Sequence, residues 1–184
     1  VSNVNNNVKN IIANSFTVEA SQVLKIENKT AFVIYPKNEQ KFNISKLKIY
    51  TQRGFVIENL NSTKLNLPEH FTLQRNGGIK TIISVGEDKI ALISGKEKNC
   101  FFAALVHLKK GKELMRTKCL PEIPKNNDFN GLGSSNIHLN DFVYFTLGTP
   151  EKHISKNSPL AQDDDYLFGK VIRIKKSDIL KKID

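Results

Sequence analysis

The chain lacks most of what would mark an enzyme or a membrane protein at sight. No apolar run approaches the ~20 residues of a bilayer-spanning helix, so the sequence holds no transmembrane segment. No signal peptide is visible and the first residue is Val1 rather than Met, which reads as a processed, trimmed or truncated start. Metal ligands at a recognisable spacing are missing. His70, His107, His138 and His153 are dispersed, and Asp163-Asp164-Asp165 has no further oxygen ligands at the spacing of a calcium loop. That acidic run reads as a solvated turn ahead of a strand, and no metal site is expected. Ser134-Ser135 sits in no nucleophile elbow and reads as a strand entry. Gly77-Gly78 lacks the third glycine and following helix of a dinucleotide loop, so it reads as close backbone packing.

What is present is a repeat. Gln22–Ile26 and Thr30–Tyr35 flank a polar turn at Asn28, and Ile79–Val85 and Ile90–Ser94 flank Glu87-Asp88. Ser135–Leu139 and Phe142–Gly148 flank Asn140-Asp141. Short strands recurring at a period near 50 residues, with no long helix, predict all-β propeller blades. The first two blades are expected as antiparallel four-stranded meanders, and the third is expected to stop at its third strand, Gly169–Ile174. The expected layout is a loose lead over 1–15, blades at about 16–67, 71–120 and 128–176, and a short helical tail over 177–184, with Ser177-Asp178 as its N-cap. Pro68, Pro121 and Pro124 are placed between blades, where proline interrupts no ladder. Phe142–Leu147 reads as a strand buried on both faces, as a blade's inner strand is. Three blades are too few to close a ring, so the chain is expected to be a fragment of a six-bladed type, with completion by a partner or an open stacking of the blades as the alternatives.

The formal net charge of +10 comes mostly from scattered lysine, alongside abundant Asn and Ile. That combination fits AT-rich coding bias. No ribonucleoprotein-type aromatic motif and no arginine cluster interleaved with aromatics accompanies it, so nucleic acid is an unlikely partner. A chain that is 39% hydrophobic and 25% charged can bury a core. The two cysteines flank a hairpin expected to turn at Lys109-Lys110-Gly111, with a return strand over Lys112–Lys118. Folding about that turn sets residues whose numbers sum to 219 or 220 opposite one another, which brings Cys100 and Cys119 within disulfide reach. A bond there predicts a periplasmic or extracellular protein. Two buried thiols in a cytoplasmic protein are the alternative.

In the third repeat the residues become specific. Gly131 to Leu139, Phe142 to Gly148, Leu160-Ala161-Gln162-Asp163 and Phe168-Gly169-Lys170-Val171-Ile172-Arg173-Ile174 together resemble the soluble sugar dehydrogenases that use pyrroloquinoline quinone. That family has a His-x-x-Gly strand, a strand ending in Gly-Asp, an Ala-Gln-Asp turn and a Gly-Lys-hydrophobic-hydrophobic-Arg strand. Asn76-Gly77-Gly78-Ile79 is similar to the Gly-Gly-Leu-Leu opening of an earlier blade, and the resemblance spans roughly Gln74 to Ile174. The chain looks closest to a degenerate marine-bacterial branch of glucose/sorbosone dehydrogenase-like propellers.

The resemblance implies quinone and calcium as cofactors, and a histidine base held by the Asp of Gly-Asp. Leu132 stands at the matching base position and Thr149 at the carboxylate position, and leucine accepts no proton. The expectation is therefore a non-catalytic extracytoplasmic propeller module with no cofactor, binding an unknown ligand or partner. The alternatives are a working dehydrogenase with its catalytic residues elsewhere, and a basic polyanion-binding module.

Overall fold

The computed structural model describes residues 22–26, 29–34, 48–58, 61–98, 100–121, 132, 134–149 and 160–184. The expected lead at 1–15, the turn residue Asn28, and Pro124, Gly131 and His153 lie outside them. The chain divides into two units, 1–65 and 66–184.

The first unit holds a five-stranded antiparallel meander: β1 (Gln22–Ile26), β2 (Lys29–Ile34), β3 (Lys48–Thr51), β4 (Phe55–Glu58) and β5 (Asn61–Lys64). The expectation was four strands; β5 adds the fifth. Gly54, at φ +87°, makes the β3–β4 turn, and its N–H donates to Thr51 O at 3.0 Å. Lys48 and Glu58 are register partners, and their charges meet at 3.0 Å.

The second unit holds two sheets. The larger contains β6 (Ile79–Val85), β7 (Asp88–Glu97), β8 (Cys100–His107), β9 (Lys112–Arg116) and β10 (Leu120–Pro121), all antiparallel. β7 flanks one side of β8, while β9 and β10 follow one another along the other side, so this sheet is four strands wide. Its apolar runs place β7 and β8 at the centre, where both faces are buried. The smaller sheet runs β11 (Asn136–Leu139), β12 (Phe142–Leu147) and β13 (Lys170–Lys175). Helix α1 (Lys176–Ile183) follows β13 directly. Ile83, Leu92, Phe101 and Leu105 of the larger sheet share one core with Val143, Phe145 and Leu147 of β12 and with Ile179 and Ile183 of α1.

Five expectations need correction. Val85 pairs with Asp88, so the β6–β7 turn is Gly86-Glu87 rather than Glu87-Asp88; Gly86, at φ +57°, supplies the left-handed residue that a two-residue hairpin needs. The return strand after Lys112 breaks in two around 117–119, and Pro121 belongs to edge strand β10 instead of an inter-blade linker. In β12, Val143, Phe145 and Leu147 are buried, Phe142 and Tyr144 are half-buried and Thr146 is exposed, so this strand is fully buried on its inward face only. Helix α1 begins at Lys176, with Lys175 at its N-cap and no capping side chain. Its first turn is held instead to the β11–β12 hairpin, with the Lys176 N–H donating to Asp141 O at 2.8 Å and its Nζ to Asn140 O at 2.6 Å.

Candidate functional site

The motif residues of the last repeat gather where the loop before β13 meets its strand. Gly169, at φ +71°, donates its N–H to Leu147 O at 2.6 Å and starts the ladder with β12. A Cβ at Gly169 would run into the Ala161 methyl and come within 2.8 Å of Thr149 Oγ1, so glycine is required here for space as well as for backbone conformation. Lys170 Nζ donates to Ala161 O at 3.1 Å and to Asp163 O at 2.9 Å, and so locks the Ala161-Gln162-Asp163 turn against the strand. Asp163 Oδ1 accepts from the Asp165 N–H at 2.9 Å, which closes an Asx turn. Gln162 is exposed. Ala161, Asp163, Gly169 and Lys170 are thus brought together, and each has a structural task.

Arg173 is not part of this group. Lys170 pairs with Leu147 and Arg173 with Tyr144, positions of opposite parity on β12, so the two cations take opposite faces of the sheet. The Arg173 guanidinium lies over the Phe142 ring, 4.9 Å from its centroid. Leu132 is 0% exposed and packs in the shared apolar core. His138 pairs with Val143 on the inner face, whereas Ile137 and Leu139 face outward. Its ring keeps solvent access, yet its pKa is pushed below the ordinary histidine value, first by partial burial and then by the Lys176 charge.

Gly77 and Gly78 form a separate tight crossing in the larger sheet. A Cβ on Gly77 would lie 2.5 Å from both Ser94 Oγ and Thr72 O. The Gly78 N–H donates to Ser94 Oγ at 2.6 Å, and the buried Ser94 hydroxyl donates to Thr72 O at 2.9 Å. Close packing is what the paired glycines do here.

The chain also holds a charged cluster that its sequence does not advertise. Arg116 donates from Nε and Nη2 to the two carboxylate oxygens of Glu113, at 2.6 and 2.8 Å, and from Nη1 to Glu97 Oε1 at 3.0 Å. Hydrogen bonding to Glu113 is the main cause of a guanidinium pKa raised above its usual value. The same guanidinium lies 4.3 Å from the Phe102 ring centroid, and His70 meets that ring at 5.1 Å. His70 Nε2 is 3.0 Å from Glu113 Oε2, at an angle too poor for a hydrogen bond, and Nδ1 is 3.6 Å from Glu97 Oε1.

In a regular strand Glu113 and Arg116, three apart, would face opposite ways. A register shift between Leu105 and Val106 inserts an extra residue in β9 and brings both onto the Phe102 face. No local sequence signal marks that bulge. Beside it, Cys100 and Cys119 form a disulfide, with Cα atoms 5.4 Å apart. Among the described residues, no group of three or more His, Cys, Asp or Glu side chains is placed to hold a metal ion. No described helix is long and apolar enough to cross a membrane. Against known proteins, the chain matches no family model, no curated protein and no solved structure.

Proposed function

We propose that this chain is a non-catalytic, extracytoplasmic binding module, built from propeller-type blades and related to the quinone-dependent sugar dehydrogenases. The observation that carries this reading is Leu132. At the position where the resembled family places its base, the chain has an apolar side chain with no exposure, part of the same buried core as Val143, Phe145 and Phe168. Sugar oxidation needs a group that accepts the hydroxyl proton, because the quinone supplies only the redox chemistry. The companion position is Thr149, which carries no charge. Lys170 spends its donors on two backbone carbonyls, and Arg173 lies on the other face, so the motif cations do not converge on one anionic cofactor. That divergence supports a module without quinone. The Cys100–Cys119 disulfide supports an oxidising compartment.

The test is dye reduction with glucose and other aldoses, with pyrroloquinoline quinone and calcium supplied. The rate should not exceed that of the cofactor alone, since general-base catalysis is commonly worth about 10²–10⁴-fold. Turnover above that background would restore the dehydrogenase reading. Calorimetry with the quinone gives a second readout and should show no saturable heat.

A further inference from the structure

We infer that the outer face of the small sheet is a docking platform for an acidic polysaccharide whose sugars carry carboxylates. This rests on the reading of the chain as a binding module and names its ligand class. The register sets two rows across β11, β12 and β13 on the face turned away from the core: Leu139, Phe142 and Lys175, then Ile137, Tyr144 and Arg173. Val171 extends the same face on β13. Ile137 is 60% exposed, Leu139 53% and Val171 68%. Large aliphatic side chains this open, around two half-buried rings, form the contiguous apolar surface that marks an interaction site. The Phe142 and Tyr144 centroids lie 6.4 Å apart with planes tilted by 55°, giving ring faces along the centre strand.

The charges identify the partner. The three strands contain no Asp or Glu. Elsewhere in the second unit Arg116 holds Glu113 and Glu97, and Lys118 holds Asp165. Arg173 and Lys175, both exposed, meet no carboxylate among the described residues. Arg173 instead stacks on Phe142, which leaves the planar donor edge of its guanidinium for a bidentate anion.

A second copy docked face to face would bring Arg173 and Lys175 against the same cations of its partner, so self-association does not fit. The matching ligand has an apolar flat side for the rings and aliphatics and an anionic edge for Arg173 and Lys175. The C–H faces and carboxylates of uronic-acid sugars meet both demands. The disulfide favours an envelope polymer over nucleic acid.

The experiment uses the full chain in native gels cast with polygalacturonate, neutral dextran, poly(dT) or polyglutamate, followed by calorimetric titration with polygalacturonate. Retardation by polygalacturonate and not by dextran is expected. Arg173→Gln should raise Kd roughly tenfold, the worth of a lost charge-assisted hydrogen bond, and lower the magnitude of the log–log salt slope by about one. Lys175→Gln, which leaves the Phe142 stack intact, should weaken binding in the same direction. Lys109→Gln removes equal charge from the β8–β9 turn and should leave Kd unchanged. Equal losses from Lys109→Gln and Arg173→Gln would reduce the effect to net charge and overturn the inference. So would stronger capture by poly(dT) or polyglutamate, or no retardation at all. Aldose turnover on the same preparation would sink the non-catalytic reading while leaving polymer retention to stand or fall separately.

Discussion

Phe102 shows how far one ring can dictate its surroundings. It is 1% exposed, lies under the Arg116 guanidinium and beside His70, and rests on Gly95 of the neighbouring strand. A Cβ added at Gly95 would stand 2.6 Å from Phe102 Cζ and closer still to Cε2. Gly95→Ala should therefore destabilise by about 1–3 kcal/mol through overpacking, read as a lower denaturant midpoint at unchanged m-value. His138 gives a second prediction at this scale. Its folded pKa lies below the ordinary 6.5, so below about pH 6.5 the unfolded chain takes up the proton first. Stability should fall as pH drops from 6.5 through the folded value and level off beneath it. His138→Gln should flatten that slope, and an NMR titration midpoint at or above 6.5 would contradict it. The sequence did place the motif residues Ala161, Asp163, Gly169 and Lys170 close together along one loop and strand, and it anticipated tight packing at Gly77-Gly78. Strand parity alone sets Lys170 and Arg173 on opposite faces, but the partners each finds, two backbone carbonyls and a ring, depend on what the fold brings within reach.

Elements were legible wherever a local rule governs them. The repeated apolar segments became β6 to β8 and β11 to β13, and the hairpin at Asn140-Asp141 follows from a two-residue loop whose first residue tolerates φ +51°. The Cys100–Cys119 proximity followed from counting outward from the β8–β9 turn. What escaped were features fixed by tertiary context: the β9 bulge, the exposure of one face of β12, and the uncapped start of α1. Residues Ile179 and Ile183 insert into the core while Leu180 remains 41% exposed. Packing therefore stabilises this eight-residue helix, which is too short to persist by itself. Ile179→Ala should cost about 2–5 kcal/mol, whereas Leu180→Ala should stay within about 0.5 kcal/mol. Thermal or chemical denaturation of the pair checks the contrast, and equal effects would contradict the helix's orientation.

At the scale of the molecule, the disulfide joins the edge of the larger sheet across the hairpin that carries Glu113 and Arg116. Replacing Cys100 and Cys119 by serine should lower stability by about 3 kcal/mol on the chain-entropy account of a loop this size. Denatured, unreduced protein from an oxidising compartment should show no reactive thiol, and two thiols would contradict both the bond and the proposed location. The shared core of the second unit has a further consequence, for the chain as it is made. Its members run from Ile83 to Ile183, so Val143, Phe145 and Leu147 emerge well before the helix that shares their core. At roughly 5–20 residues per second, those side chains wait some seconds for Ile179 to leave the ribosome. During that interval β12, already paired with β11, keeps an open backbone edge where β13 will add, the kind of surface that holdase chaperones recognise. The core of this unit is complete only when Ile179 and Ile183 have joined it.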